Sequence, residues 1–305
     1  MTQTNEGVLD PWVADWLEAN AAMMEPPGDY TPEYLAAARM PTCPFPTYPV
    51  AKVTDEVVDG VPIRIYEHDG TPNSLIVYFH GGAFCVGSIG LMENIATGLA
   101  HYAHAAVVSV EYRLTPEHPY PAGLDDCETV TRWALANASR FGVSEDAVVV
   151  AGESAGGNLS AAVSLCLRDS GGPTPAGQVL IYPAVASPTA SFPSQTEFSG
   201  PMLRFEGVEK VWAMYSGGRD IDHDPYAAPL EAEDLGGLPP TLVVLGGCDV
   251  LRDEGRQYGH RLREAGVPVD EACFAGQPHG FMNLGFPAAE QAHQRIGEWL
   301  RAPVA

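Results

Sequence analysis

The feature that most constrains this chain is an alternation of short, unbroken apolar runs with stretches of helical spacing. The runs are Leu75 to Phe79, Ala105 to Val110, Ala147 to Ala151, Val179 to Tyr182 and Thr241 to Leu245. A strand wet on one face alternates polar with apolar residues, so an unbroken apolar strand needs cover on both faces. Helical patterns at Glu93 to His104, Leu124 to Arg140 and Ala155 to Arg168 supply that cover. A last strand near Val269 to Phe274 and a helix from Ala288 to Leu300 complete the set. The expectation is an α/β fold, a mostly parallel central sheet flanked by helices. Ahead of the alternation, Lys52 to Val58 and Val61 to Tyr66 flank Asp59-Gly60, a favoured hairpin turn.

Two segments fall outside the rhythm. The N-terminal part holds two helical patterns. One runs from Pro11 to Met24, with Trp12, Trp16 and Met23 near helical spacing; the other follows Thr31-Pro32-Glu33, a cap residue with Pro at the first helical position. A Pro-rich stretch, Pro41 to Pro49, then breaks regular structure. Ser187 to Pro229 is far longer than an ordinary connection, and its helix-like piece near Phe205 to Tyr215 includes Trp212 and Met214. Residues 1–50 and 187–229 are therefore expected to form a helical cap over a core made of residues 51–186 and 230–305.

Charge narrows the partners. A net charge of −23, with 16 Lys and Arg against 39 Asp and Glu, argues against nucleic acid and against anionic membrane surfaces. No run of about 18 apolar residues is present to span a membrane. The first thirty residues lack Lys and Arg, unlike the basic start of a signal peptide, so a soluble, cytoplasmic protein is expected. A homo-oligomer is compatible with all of this. The six cysteines, Cys43, Cys85, Cys127, Cys166, Cys248 and Cys273, form no C-x-x-C pair and no zinc-ligand spacing, so free thiols and no metal are expected.

The chemistry gathers at the ends of the apolar runs. Gly152-Glu153-Ser154-Ala155-Gly156 sits between a buried strand and a helix. A sharp strand-to-helix turn strains the serine backbone and lifts its hydroxyl out at the carboxyl end of the sheet. Flanking glycines remove the side chains that would clash there. A serine needs a base, and His279 lies in a Gly/Pro loop after the last strand; His68, His101, His104, His118, His223, His260 and His293 fall in turns or helices. Asp249 is the first acid past the Thr241 run and is preferred over Asp253 and Glu254, which start the next helix. The order Ser, Asp, His is the order of the α/β-hydrolase type. Phe79-His80-Gly81-Gly82-Ala83 brings backbone N–H groups close to a reacting carbonyl, so Gly81 and Gly82, with Ala155, are the expected oxyanion donors. His80 then holds the loop. Glu153 reads either as an acid at a helix start or as a brace on the catalytic loop.

Together these residues resemble the hormone-sensitive-lipase-like carboxylesterases of the α/β-hydrolase superfamily. That family's H-G-G-G segment matches His80 to Gly82, with Ala83 for the last glycine. Its G-D-S-A-G-G matches Gly152 to Gly157 with Glu153 for Asp, D-P-L-R-D-E-G matches Asp249 to Gly255 with Val250 for Pro, and H-G-F matches His279 to Phe281. Tyr112 to Ala122 resembles its Y-R-L-A-P-E-H-P-F-P-A stretch, read here as structural. The resemblance implies hydrolysis of short- to medium-chain acyl esters by Ser154, His279 and Asp249, through an acyl-enzyme and without a cofactor. An amide- or formamide-cleaving enzyme on the same fold is the alternative; a non-catalytic ligand-binding relative is disfavoured, because all three residues are present.

Overall fold

The computed structural model describes residues 6–21, 29–39, 42–200 and 202–302. Met23, Pro41 and the far end of the first expected helix lie outside the described residues. What is described of that helix, α1 (Pro11–Ala19), starts at Asp10, whose carboxylate accepts the Trp12 N–H at 3.0 Å. It stops where the Asn20 amide turns back onto the Trp16 carbonyl. Helix α2 (Pro32–Ala38) is capped by Thr31, as its sequence predicts.

The hairpin follows, β1 (Lys52–Val58) paired antiparallel with β2 (Val61–Glu67) about Asp59-Gly60. Then the alternation runs through β3 (Leu75–Phe79), α3 (Glu93–Ala103), β4 (Ala106–Val110), α4 (Ala122–Ala136), β5 (Val148–Glu153), α5 (Ala155–Asp169) and β6 (Gly177–Ile181). After the long insertion come β7 (Thr241–Cys248), α8 (Arg252–Glu264), β8 (Val269–Pro278) and α9 (Pro287–Arg301). All eight strands form one sheet in the order β1-β2-β4-β3-β5-β6-β7-β8, parallel from β4 to β8.

Burial explains the unbroken apolar runs. Along β3 every residue is buried, yet Leu75, Val77 and Phe79 join one cluster while Ile76 and Tyr78 join another. The first cluster is closed by α4 and α5 and the second by α1, α3 and α9. The alternation of period two survives as a choice between two cores.

Two expected elements differ in detail. The helix expected from Leu124 to Arg140 is broken at Asn137, whose side-chain amide bonds the Trp133 carbonyl; a short 3-10 turn (Ala138–Phe141) follows. The insertion contains a second helix that the sequence reading missed, here α6 (Pro193–Glu197), before the expected α7 (Phe205–Ser216).

The insertion and the N-terminal helices meet near the carboxyl ends of the strands. Tyr215 of α7 stacks on Phe84 with ring centroids 3.8 Å apart. Arg39, after α2, donates to the carbonyls of Cys85 and Thr115 at 2.9 Å each and pairs with Glu117. The Tyr112 to Ala122 stretch joins the two: Tyr120 N–H donates to the Tyr215 carbonyl, and the Thr115 hydroxyl donates to that of Met214.

Candidate active site

Ser154 stands between β5 and α5 with φ 56° and ψ −118°. A positive φ is costly for a side chain with a Cβ, by about 1–2 kcal/mol, and persists only where its surroundings hold it. They do so from both sides: Ser154 N–H donates to the Ile181 carbonyl at 2.9 Å, and its carbonyl accepts from Asn158 and Ala184 N–H. The motif's glycines are required by proximity. A Cβ on Gly156 would lie 1.9 Å from the Phe79 carbonyl oxygen, and one on Gly152 would lie 2.2 Å from that of Gly156.

The hydroxyl so presented lies 3.0 Å from His279 Nε2. His279 follows directly on β8, and its Nδ1 lies 2.9 Å from Asp249 Oδ2 and 3.1 Å from Oδ1. Asp249 follows directly on β7, is fully buried, and also accepts the Leu251 N–H at 2.9 Å. A carboxylate facing Nδ1 assigns the proton to that nitrogen and leaves the Nε2 lone pair for the serine. The ring packs edge-on against Tyr182 at 5.0 Å. Asp253 turns elsewhere, accepting the Ser194 N–H at 3.0 Å and pairing with Arg252. Glu254, fully buried, accepts the Val185 and Ala186 N–H groups; burial pushes its carboxyl up to about 8. Asp253 thus fastens the insertion to α8, and Glu254 fastens the segment that leads into it.

The glycine turn after β3 departs from expectation at one residue. Gly81 N–H donates to Glu153 Oε1 at 2.5 Å, so it is already engaged and does not face a substrate. Among the described residues, no acceptor meets the N–H of Gly82, Ala83 or Ala155. Of the expected donors Gly81, Gly82 and Ala155, Gly81 is thus already bonded, while Ala83 joins Gly82 and Ala155 in having no acceptor among the described residues. The backbone there is left-handed at Gly82 (φ 117°), Ala83 (φ 54°) and Phe84 (φ 57°). Alanine therefore adopts the conformation that a third glycine would take freely. His80, fully buried, donates Nδ1–H to the Gly81 carbonyl at 2.7 Å and stacks on Tyr112 at 4.4 Å. Burial lowers its affinity for a proton. Its place is beneath the loop, as the sequence predicts.

His279 borders a cavity of about 440 Å³. Leu9 and Leu17 line it from the N-terminal side, Phe198, Met202 and Leu203 from the insertion, and Val250 from the Asp249 loop. Neither Leu9 nor Phe198 carried a sequence signal for this; only the packing of two distant segments brings them together. All six cysteines are free, and no group of three His, Cys, Asp or Glu able to hold a metal occurs among the described residues. No helix among them is long and apolar enough to cross a membrane.

Comparison with known proteins agrees with this fold. A family model described as the alpha/beta hydrolase fold matches residues 76–283. Esterase LipI of Mycobacterium tuberculosis is 37% identical over 263 residues, covering 82% of each chain. Carboxylesterase NlhH of the same species is 39% identical over 245 residues, covering 77% of this chain and 76% of its own. The solved structure of a hyperthermophilic esterase from the archaeon Pyrobaculum calidifontis superposes with a TM-score of 0.87 at 32% identity, over 96% of this chain and 98% of that one. With this sheet, and with carboxylesterase relatives matching across both of its halves, the chain belongs to the α/β-hydrolase fold family, in its hormone-sensitive-lipase-like branch, as a carboxylic ester hydrolase.

Proposed function

We propose that Ser154, His279 and Asp249 carry the ester hydrolysis, acting on short- to medium-chain acyl esters. The observation that carries the reading is the continuous relay from Ser154 Oγ through both nitrogens of His279 to a buried carboxylate. In the first half-reaction Ser154 Oγ attacks the ester carbonyl carbon while its proton passes to His279 Nε2. The carbonyl oxygen becomes an oxyanion met by the N–H groups of Gly82, Ala83 and Ala155, the last at the N-terminus of α5, where the helix dipole adds to the attraction. Collapse of the tetrahedral species breaks the bond to the alcohol oxygen, which leaves with the proton held on Nε2. Water, deprotonated by the same nitrogen, then attacks the acyl carbon; the bond to Ser154 Oγ breaks, Oγ takes back the proton from Nε2, and the acid is released. Asp249 holds the imidazole in orientation and stabilises its charged form.

The cavity beside His279 accepts an apolar part of the ester, and the described parts of the N-terminal segment and of the insertion serve as the cap that walls it. Ser154→Ala tests the reading directly. Hydrolysis of a short-chain nitrophenyl ester falls to background while the far-ultraviolet circular dichroism spectrum stays that of the parent. Substantial turnover by the folded variant removes Ser154 from its role.

A further inference from the structure

One fully buried acid next to the serine is not used by the reaction described above. Glu153 is the last residue of β5, and its neighbours in the sheet are β3 and β6. Its two oxygens are both occupied, and both partners come from β3 and the turn that follows it. Oε1 accepts the Gly81 N–H at 2.5 Å, and Oε2 accepts the Tyr78 hydroxyl at 2.7 Å. The contact leaves no slack: a Cβ on Gly81 would lie 2.9 Å from both Oε1 and the Glu153 carbonyl oxygen.

The consequence is geometric. Gly81 immediately precedes Gly82 and Ala83, whose N–H groups have no acceptor among the described residues. Ser154 immediately follows Glu153. One side chain therefore ties the donor loop to the residue beside the nucleophile, across the gap between β3 and β5. The turn needs such a tie, because Gly82, Ala83 and Phe84 all have positive φ and two of them are not glycine. From the far side, His80 and Tyr112 hold the same turn: Tyr112 donates its hydroxyl to the His80 carbonyl at 2.7 Å.

We propose that Glu153 is a positioning residue of the oxyanion site, fixing Gly81 so that the N–H groups of Gly82 and Ala83 converge with that of Ala155 above Ser154. The proposal rests on the reading of Ser154 as nucleophile. A carboxyl serves here because it offers two acceptors on a side chain long enough to reach over Gly81. Its charge is a liability in that place, since a formal negative charge close to a developing oxyanion opposes it. Burial meets that liability: it pushes the carboxyl up to about 8, with the bonds from Tyr78 and Gly81 pulling the other way. The ionisable groups facing it are Tyr78 from β3, Tyr112 beyond β4 and Tyr182 beyond β6. All three are buried phenols held well above their usual range, so they stay neutral in the working pH interval.

Three variants test this on a short-chain nitrophenyl ester, each with kcat and KM separated and with the affinity for an alkyl boronic acid, which forms a tetrahedral adduct on serine. Glu153→Gln retains an oxygen for the Gly81 N–H. The parent's kcat is expected to fall above pH 8 as the Glu153 carboxyl ionises; Glu153→Gln is expected to keep kcat within about threefold and to lack that fall, since the amide cannot ionise. Glu153→Ala releases Gly81; kcat is expected to fall about 100-fold, the scale of losing an oxyanion donor, with KM within a few-fold and boronate affinity falling in parallel. Tyr78→Phe, which keeps the core volume, is expected to lower kcat about fivefold with KM unchanged, and it decides the matter if the alanine variant does not fold. An alanine variant that folds with unaltered kcat overturns the proposal. So does a loss confined to KM, an alkaline limb that persists in Glu153→Gln, or a Tyr78→Phe protein with parental kcat. A failure of the underlying reading looks different: Ser154→Ala would then stay active, whatever the Glu153 variants do.

Discussion

At the scale of single residues, acids close together in sequence do different work because each leaves β7 or α8 in a different direction. Asp249, at the strand end, reaches His279 Nδ1 at 2.9 Å, whereas Asp253 lies one helical turn on and reaches Ser194. Asp249→Asn is therefore expected to lower kcat by about 10³–10⁴, because an amide opposite Nδ1 favours the wrong tautomer. Asp253→Asn keeps an oxygen for the Ser194 N–H and is expected to stay within about threefold of the parent. Steady-state kinetics of the two variants provide the check, and the reverse ranking would displace Asp249. The three candidate residues of the relay could be picked from the sequence because Ser154 and Asp249 each follow an apolar run and His279 lies in the Gly/Pro loop after the last strand, and strand ends on one side of a parallel sheet are brought together. The engagement of Gly81 could not. A run of glycines announces close main-chain approach, but which N–H faces the substrate depends on a side-chain bond to Glu153 that the pattern does not encode.

At the scale of elements, the core strands were legible to within one to three residues, because burial on both faces leaves an unbroken apolar record. The insertion was legible only in part: α6 is five residues long and polar, Pro-Ser-Gln-Thr-Glu, and carries no periodic stripe. It is held instead by Ser194, which bonds the Val250 carbonyl and Asp253. The connector between α6 and α7 brings Phe198 to the cavity beside His279. Phe198→Ala is expected to shift the activity profile towards bulkier esters by several-fold in relative kcat/KM; an identical profile would separate that cavity from substrate binding. A second consequence belongs to the contact of α3 with α9. His293 is buried there, its ring nitrogens make no well-formed hydrogen bond among the described residues and only looser approaches to the backbone of Ala289 and Ile95, and Gly98 makes room for it: a Cβ would lie 2.5 Å from Nε2. Burial lowers its pKa from 6.5 to about 4. Between those values the unfolded chain binds the proton and the folded one does not, so stability falls as pH drops from 6.5 to 4. The full effect is about 3 kcal/mol. Denaturant titrations of the parent and His293→Phe at pH 7 and pH 4.5 should show the gap between them changing in favour of the variant at the lower pH. A gap independent of pH would mean that the imidazole is solvated or protonated in place.

At the scale of the whole molecule, the governing quantity is the excess of 39 acidic over 16 basic side chains. The sequence displays that excess directly, but not how its few cations are placed. Many join segments far apart in the chain: Arg140 pairs with Glu56, Arg39 with Glu117 and Arg295 with Asp270. These pairs are largely exposed at one partner or both, and each is worth about 0–1 kcal/mol. Two opposed effects of salt follow. Screening weakens the pairs, which lowers stability, and it weakens the mutual repulsion of the unpaired carboxylates, which raises it. Pairs act over contact distances, where screening is weak, while the repulsion among the acids acts over tens of ångströms. Raising ionic strength from about 10 mM to about 150 mM shortens the screening length from roughly 30 Å to roughly 8 Å, which removes most of the long-range term and little of the short-range one. The repulsion therefore decides the sign, and the thermal midpoint at pH 8 is expected to rise by a few degrees over that interval. Lowering the pH towards 5 protonates part of the acidic surface and should shrink the response. Calorimetry in sodium chloride at the two pH values measures both; a midpoint that falls with salt at pH 8 would show that the exposed ion pairs, and not the net charge, dominate the electrostatics of folding.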